Sequence, residues 1–108
     1  MRICVIAFAA LVGTACAVGP AIDTSMQQFV GRPLATMTSR VGPPHSERKV
    51  AGEQWYSWVN DRMVSGFQGG PMHFQCRISV RVGPDTVVQT YHWEGTNAGC
   101  LEMARMFR

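Results

Sequence analysis

The clearest pattern along the chain is a strict alternation of apolar and polar residues over positions 73–82. A period of two is typical of a strand that buries one face. The apolar positions are Phe74, Cys76, Ile78, Val80 and Val82. Residues 83–86, Gly-Pro-Asp-Thr, have the composition of a turn, and the apolar and aromatic residues that follow predict a second strand over 87–94.

The side chains of these two strands also predict how they pair. If Val82 lies opposite Val87, then Cys76 lies opposite Trp93, and both Tyr91 and Trp93 fall on the apolar face. A slip of one residue would bring polar and charged side chains to that face, at a large cost in desolvation. We therefore expect the Val82–Val87 register.

Two short amphipathic helices are predicted before the sheet. The first follows candidate capping residues at 23–25 and ends at Gly31, and the second begins at Pro33 and ends at Gly42. Their apolar side chains recur at helical spacing: Met26, Phe29, Val30, Leu34, Met37 and Val41. Neither helix is long enough to be stable alone in water, so each is expected to pack on the sheet.

A third strand is predicted over residues 53–59, which are rich in aromatic side chains. Residues 45–52 have the composition of a polar turn, and residues 60–71 that of a glycine-containing loop. A last short helix is predicted over 100–107. The expected fold class is therefore α+β, with two short N-terminal helices packed on a three-stranded antiparallel sheet and a short C-terminal helix.

Length and composition restrict the function. A chain of 108 residues that is 46% hydrophobic and 16% charged can build the core of one domain. Its formal net charge of +3 is too small and too scattered for a nucleic-acid groove. The chain contains no nucleophile elbow, phosphate loop or zinc-protease motif. We expect no catalytic residue, no metal, no cofactor and no small-molecule substrate.

The first sixteen residues are typical of an export signal. Arg2 is followed by an apolar run over 3–12 and then by small residues. A ten-residue helix is about 15 Å long, roughly half the thickness of a bilayer core, so a permanent span is not expected. The predicted organisation is a signal at 1–16, a tether at 17–23 and a single domain at 24–108.

Two processing sites compete within this segment. Ala15-Cys16-Ala17 fits cleavage after Ala17, whereas Val12-Gly13-Thr14-Ala15-Cys16 has the form of a bacterial lipobox in which Cys16 becomes the lipidated first residue. Gly13 stands where the lipobox usually has leucine. The shortness of the signal favours lipidation of Cys16, and both alternatives remain open.

The remaining cysteines predict a disulfide. Cys4 is removed with the signal, and Cys16 is either lipidated or removed, which leaves Cys76 and Cys100 as an even pair in an oxidising compartment. We therefore expect a Cys76–Cys100 bond. A metal site is the rival interpretation, but two cysteines without further ligands are too few to hold the ion.

Several features together resemble the SmpA/OmlA (BamE-like) family of small bacterial outer-membrane lipoproteins. The residues that carry the resemblance are Cys16, Gly42 and Pro44 at the end of the second helix, and Trp55 and Tyr56 on the first strand. The resemblance implies a lipid anchor and a non-catalytic role in protein assembly or envelope integrity. The chain departs from the family at residues 31–33, where Gly-Met-Thr is usual, and in its C-terminal tail.

Exposed aromatic residues are candidates for a partner surface. Tyr56 and Trp58 cannot share a face with Trp55 on one strand, so one side of this strand is expected to show aromatic surface, joined by Phe67 of the following loop. The predicted function is a lipid-anchored scaffold or assembly accessory in the cell envelope, at the outer membrane facing the periplasm, with an unidentified protein partner. The alternative is a soluble periplasmic or secreted binding or inhibitor module.

Overall fold

Four strands and three helices make up the part of the chain that this computed structural model describes, residues 9–65 and 70–108, with the side chains of the first helix described from Val18 onward. In chain order they are α1 (Ala9–Gln27), α2 (Leu34–Val41), β1 (Ser46–Val50), β2 (Glu53–Val64), β3 (Met72–Val82), β4 (Val88–Gly95) and α3 (Asn97–Phe107). The strands form one antiparallel sheet in the order β1-β2-β3-β4. The α+β class is confirmed, whereas the predicted number of three strands is wrong.

The additional strand is β1, which occupies residues predicted to form a turn. All five of its side chains are exposed, so it shows none of the alternation that marks a half-buried strand. It is joined to β2 by a tight turn in which Ala51 and Gly52 both have positive φ, 53° and 82°. Such a turn matches the twist of a hairpin, but its sequence lacks the usual asparagine or aspartate.

The pairing of β3 with β4 differs from the predicted register by one residue at Val82 and by two residues from Arg81 to Cys76. Val82 lies opposite Val88, and an irregularity between Arg81 and Val82 then brings Trp93 opposite Ile78. Val87, the predicted partner of Val82, instead forms a bridge with Pro33. A shift of two preserves the faces, so Trp93 still points to the apolar side as expected.

The first helix is longer than predicted, and the expected tether at 17–23 is part of it. Val18 is 5% exposed, and Ile22 and Met26 are fully buried, so a stripe spaced by four residues packs into the core. Proline usually interrupts a helix because it lacks an N–H and collides with the preceding turn. Pro20 nevertheless lies inside the helix.

The second helix begins and ends where the sequence predicted. Pro33 precedes its first residue, and Gly42 follows its last with a φ of 88°, a conformation that glycine adopts without strain. Met37 is fully buried, while Leu34 and Val41 pack partly against the core. Backbone hydrogen bonds join Gly31 and Arg32, in the segment before α2, to Val88, the first residue of β4.

All three helices pack on the same face of the sheet. The buried cluster combines side chains of the helices with the alternating residues of β3, and its members are Val18, Ile22, Met26, Phe29, Met37, Trp58, Cys76, Ile78, Val80, Val82, Val88, Cys100, Met103, Ala104 and Phe107. Two polar contacts connect α1 to α3: Ser25 donates to the Ala104 carbonyl at 2.6 Å, and the Gln28 amide donates to the Phe107 carbonyl at 2.8 Å. In the described part of the chain, no helix lies over the opposite face of the sheet.

The start of α3 lies directly against the backbone of β3. Thr96 caps the helix by accepting a hydrogen bond from the Gly99 amide at 3.1 Å. A Cβ on Gly99 would lie 2.3 Å from the Gln75 nitrogen, so only glycine fits there. This close approach brings Cys100 beside Cys76.

None of the helices in the described residues is both long and apolar enough to span a bilayer.

Candidate partner-binding surface

The helix-free face of the sheet, here called the outer face, is built from alternate residues of all four strands. The register places Trp55 of β2 between Arg48 of β1 and Arg81 of β3. Directly opposed residues have Cβ atoms about 4.5–5.5 Å apart, so the two arginines flank the indole ring. Trp55 is half-buried although no helix covers it.

A shallow hollow of about 340 Å³ lies at the centre of the outer face. Its lining combines aromatic, hydroxyl and charged side chains: Arg48, Val50, Glu53, Trp55, Ser57, Arg77, Ser79 and His92. The hydroxyls of Ser57 and Ser79 share a hydrogen bond at 2.8 Å and form the floor of this hollow between two strands. Because serine side chains are small, Ser57 and Ser79 leave a space on the outer face that the longer side chains of the hollow surround.

The charges around the hollow are only partly neutralised. Arg81 lies 3.3 Å from Glu53, and His92 lies 3.7 Å from Glu94, so each of these two basic groups has a carboxylate nearby. Among the described residues, neither Arg48 nor Arg77 forms an ion pair. The hollow therefore presents two guanidinium groups without an ion-pair contact: Arg48 beside the Trp55 ring, and Arg77 two rows further along the sheet, between Val59 of β2 and Glu94 of β4.

The structure corrects the predicted aromatic surface. Trp58 is 2% exposed, contacts Phe107 edge to face with ring centres 6.1 Å apart, and donates from Nε1 to the Gly42 carbonyl at 3.0 Å. Tyr56 lies on the same helix-covered face and is half-buried against the core. Trp55, on the opposite side of the strand, is the aromatic residue of the outer face. Phe67 lies outside the described residues.

The two predicted disulfide cysteines are brought together in the core. The sulfurs of Cys76 and Cys100 lie 2.11 Å apart, at disulfide distance, and both residues are fully buried. Cys16, the predicted lipidation site, lies in α1 two residues before the first described side chain. Processing and lipidation of this residue stay predictions.

A second group of polar side chains lies where β2 and β3 extend past their neighbours. Hydrogen bonds from the Arg62 guanidinium, and then from the Asn60 amide, lower the pKa of the Glu102 carboxyl. On the opposite face of the same strands, His73 Nε2 lies 2.6 Å from Asp61 Oδ1. The Asp61–His73 pair could not be predicted from the sequence, because its members are neighbours only once β2 and β3 are paired.

Metal and nucleophile chemistry gain no further support from this geometry. In the part of the chain that the structure describes, no three side chains of histidine, cysteine, aspartate or glutamate lie within reach of one ion. The spacing of His73 and Cys76 places them on opposite faces of β3, where Cys76 is buried and His73 is exposed. Tryptophan and arginine are among the residues most enriched where binding energy concentrates, so the outer face is a candidate recognition surface.

No family model, no curated protein and no solved structure matches the chain. The resemblance to small outer-membrane lipoproteins therefore rests on the five residues named for it above. The function has to be argued from the outer face of the sheet and from the N-terminal helix.

Proposed function

We propose that the chain is a non-catalytic protein of the bacterial cell envelope that is anchored by a lipid on Cys16 and binds a protein partner through the outer face of its sheet. In this role it serves as a small scaffold or assembly accessory at the outer membrane, facing the periplasm. The observation that carries the proposal is Trp55, which lies half-buried on a helix-free face between Arg48 and Arg81.

The composition of the hollow specifies the chemistry of the partner. Arg48 and Arg77 have no carboxylate within ion-pair distance in the described ranges, so a partner that supplies carboxylates would neutralise them. Trp55 and Val50 offer an apolar contact in the same hollow, on the side of Arg48. The partner surface is therefore expected to combine an apolar side chain with flanking aspartate or glutamate residues.

The position of Pro20 supports removal of the preceding segment. A proline inside a helix lacks a hydrogen bond and collides with the carbonyl four residues before it, which costs about 3 kcal/mol. In a mature chain that begins at Val18, Pro20 is the third residue, where its missing N–H has no intrahelical partner to lose; in one that begins at Cys16 it is the fifth, and the one bond affected is that to the first carbonyl. Every described buried side chain, from Val18 onward, is retained in either mature form.

The soluble alternative uses the same surface without the anchor. Cleavage after Ala17 leaves Val18 at the N-terminus and releases the domain to the periplasm or the medium. The binding or inhibitor module that results has the same hollow, so the two functions differ in location and in the mature N-terminus rather than in the recognition surface.

A photo-crosslinking amino acid at His92, an exposed residue of the hollow, is expected to capture a discrete protein partner in living cells. Introducing Trp55→Ala into the same chain is expected to reduce that product strongly, because the loss of a central aromatic contact commonly weakens binding by about 2 kcal/mol or more, roughly thirtyfold. The yield is measured by immunoblotting after irradiation.

The matched control carries the crosslinker at Met106, an exposed residue of α3 on the helix side of the sheet. We expect no crosslinked partner from the position of Met106. Equal capture from both positions, or capture at His92 that is unaffected by Trp55→Ala in a folded protein, would contradict binding through the outer face.

A further inference from the structure

The paired ends of β2 and β3 project from the sheet as a two-stranded arm, residues 61–64 and 72–75. The last partner of β1 on β2 is Ser57, and the last partner of β4 on β3 is Cys76. From Cys76 to Met72 the arm extends by about 14 Å beyond the end of β4. A two-stranded ribbon has little stability of its own in water. Helix α3 supports the base of the arm, where Gly99 lies against Gln75 and Glu102 pairs with Arg62, so it is the tip that is expected to rest against another surface.

Two of the exposed side chains of the arm are methionines. Met63 is 62% exposed and Met72 is 48% exposed, and the two point to opposite faces of the ribbon. Arg62 of the arm pairs with Glu102 of α3, and His73, which lies directly opposite Met63, pairs with Asp61 nearer the sheet. The outermost paired residues, Val64 and Met72, are both apolar.

The arm and the N-terminal end of α1 lie at the same end of the fold. The chain just after α1 contacts the first residue of β4, since the Gly31 amide donates to the Val88 carbonyl at 2.8 Å. Further back along α1, Asp23 accepts a hydrogen bond from the Tyr91 hydroxyl in the middle of β4. Helix α1 therefore runs antiparallel to β4, and its N-terminus points toward Gly95, the end from which the arm projects.

We propose that the arm contacts the bilayer that holds the lipid anchor, with Met63 and Met72 inserted at the level of the headgroups. This inference rests on the proposed anchor at Cys16. Only one residue separates Cys16 from the buried Val18, so the acylated residue lies within about 7 Å of the folded body. Because no flexible tether intervenes, the anchored end of the domain lies against the membrane, where exposed methionines gain an apolar environment.

Spin labels on single introduced cysteines test this contact. Met63→Cys, Met72→Cys and the control Met106→Cys, an exposed site on α3 away from the arm, are each expressed from the full gene, purified from membranes and reconstituted in vesicles of phosphatidylethanolamine and phosphatidylglycerol. We expect the ratio of collisions with oxygen to collisions with a water-soluble nickel complex to be several-fold higher at 63 and 72 than at 106.

Mass spectrometry of the same preparation shows whether the protein is acylated. It therefore distinguishes a failure of the arm contact from a failure of the anchor on which this inference rests. Lipidated protein whose three labels are all equally accessible to the nickel complex overturns the arm contact and leaves the anchor intact. Protein without an acyl group whose labels at 63 and 72 are nonetheless shielded supports the arm contact and overturns the anchor. Protein without an acyl group and with all labels in water overturns both.

Discussion

Trp58→Ala is expected to destabilise the domain by about 3–5 kcal/mol, because it removes a fully buried indole from the centre of the core. The side chain is 2% exposed, contacts Phe107 and donates a hydrogen bond to the Gly42 carbonyl. A small domain has a total stability of about 5–15 kcal/mol, so this loss is a large share of it. Urea denaturation monitored by circular dichroism measures the change.

Trp55→Ala is the matched control for this prediction. It removes the same side chain three residues away, from the outer face, and we expect a loss of only about 1 kcal/mol. If Trp58→Ala fails to fold, Trp58→Phe keeps most of the buried volume and is expected to lose about 1–2 kcal/mol with its hydrogen bond. Equal losses for Trp55→Ala and Trp58→Ala would show that the two faces of β2 are assigned incorrectly.

Loss of the Cys76–Cys100 bond is expected to have the second largest effect. The cysteines are separated by 24 residues in sequence, and closing such a loop stabilises the native state by about 3 kcal/mol in the chain-entropy model. The double variant Cys76→Ala/Cys100→Ala is therefore expected to lower the Tm of the mature domain by roughly 12–24 °C. Thermal unfolding followed by circular dichroism measures this shift.

Alkylation provides the control for the disulfide. Both cysteines are fully buried, so native protein must first be unfolded without reductant before its thiols are counted. We expect Cys76 and Cys100 to react only after reduction, and we expect reductant to have little effect on the Tm of the double variant. Two free thiols in the unfolded, unreduced protein would contradict the bond.

The parts of the fold that could be predicted are those with a strong local signal. The alternation along β3 and the proline and glycine at the two ends of α2 reflect constraints that act within a few residues. The register of β3 with β4 was wrong by two residues from Arg81 to Cys76, yet the apolar face was right, because a two-residue shift does not exchange faces.

The parts that could not be predicted depend on distant contacts. Strand β1 has no apolar stripe, and only its hydrogen bonds to β2 make it a strand. On β2, aromatic side chains occupy both faces, so alternation alone could not decide between Trp55 and Trp58 for the core. That choice is made by β3, whose buried residue Ile78 lies directly opposite Trp58.

The candidate site was missed for the same reason. Arg48, Trp55 and Arg77 belong to three different strands, and one of these strands was expected to be a turn. Tyr56 and Trp58, the residues proposed from the sequence, lie on the same strand as Trp55 but on its helix-covered face. The hollow could have been identified from the sequence only if residues 46–50 had been predicted as a strand that pairs with β2.

The mass of the mature N-terminus, measured on protein purified from its native membranes, tests the central claim that this is an exported and lipid-anchored domain. We expect a chain that begins at Cys16 and carries a diacylglycerol group. An unmodified chain that begins at Val18 would contradict the anchor and favour the soluble module, and a cytosolic chain that still contains Met1 would contradict export itself.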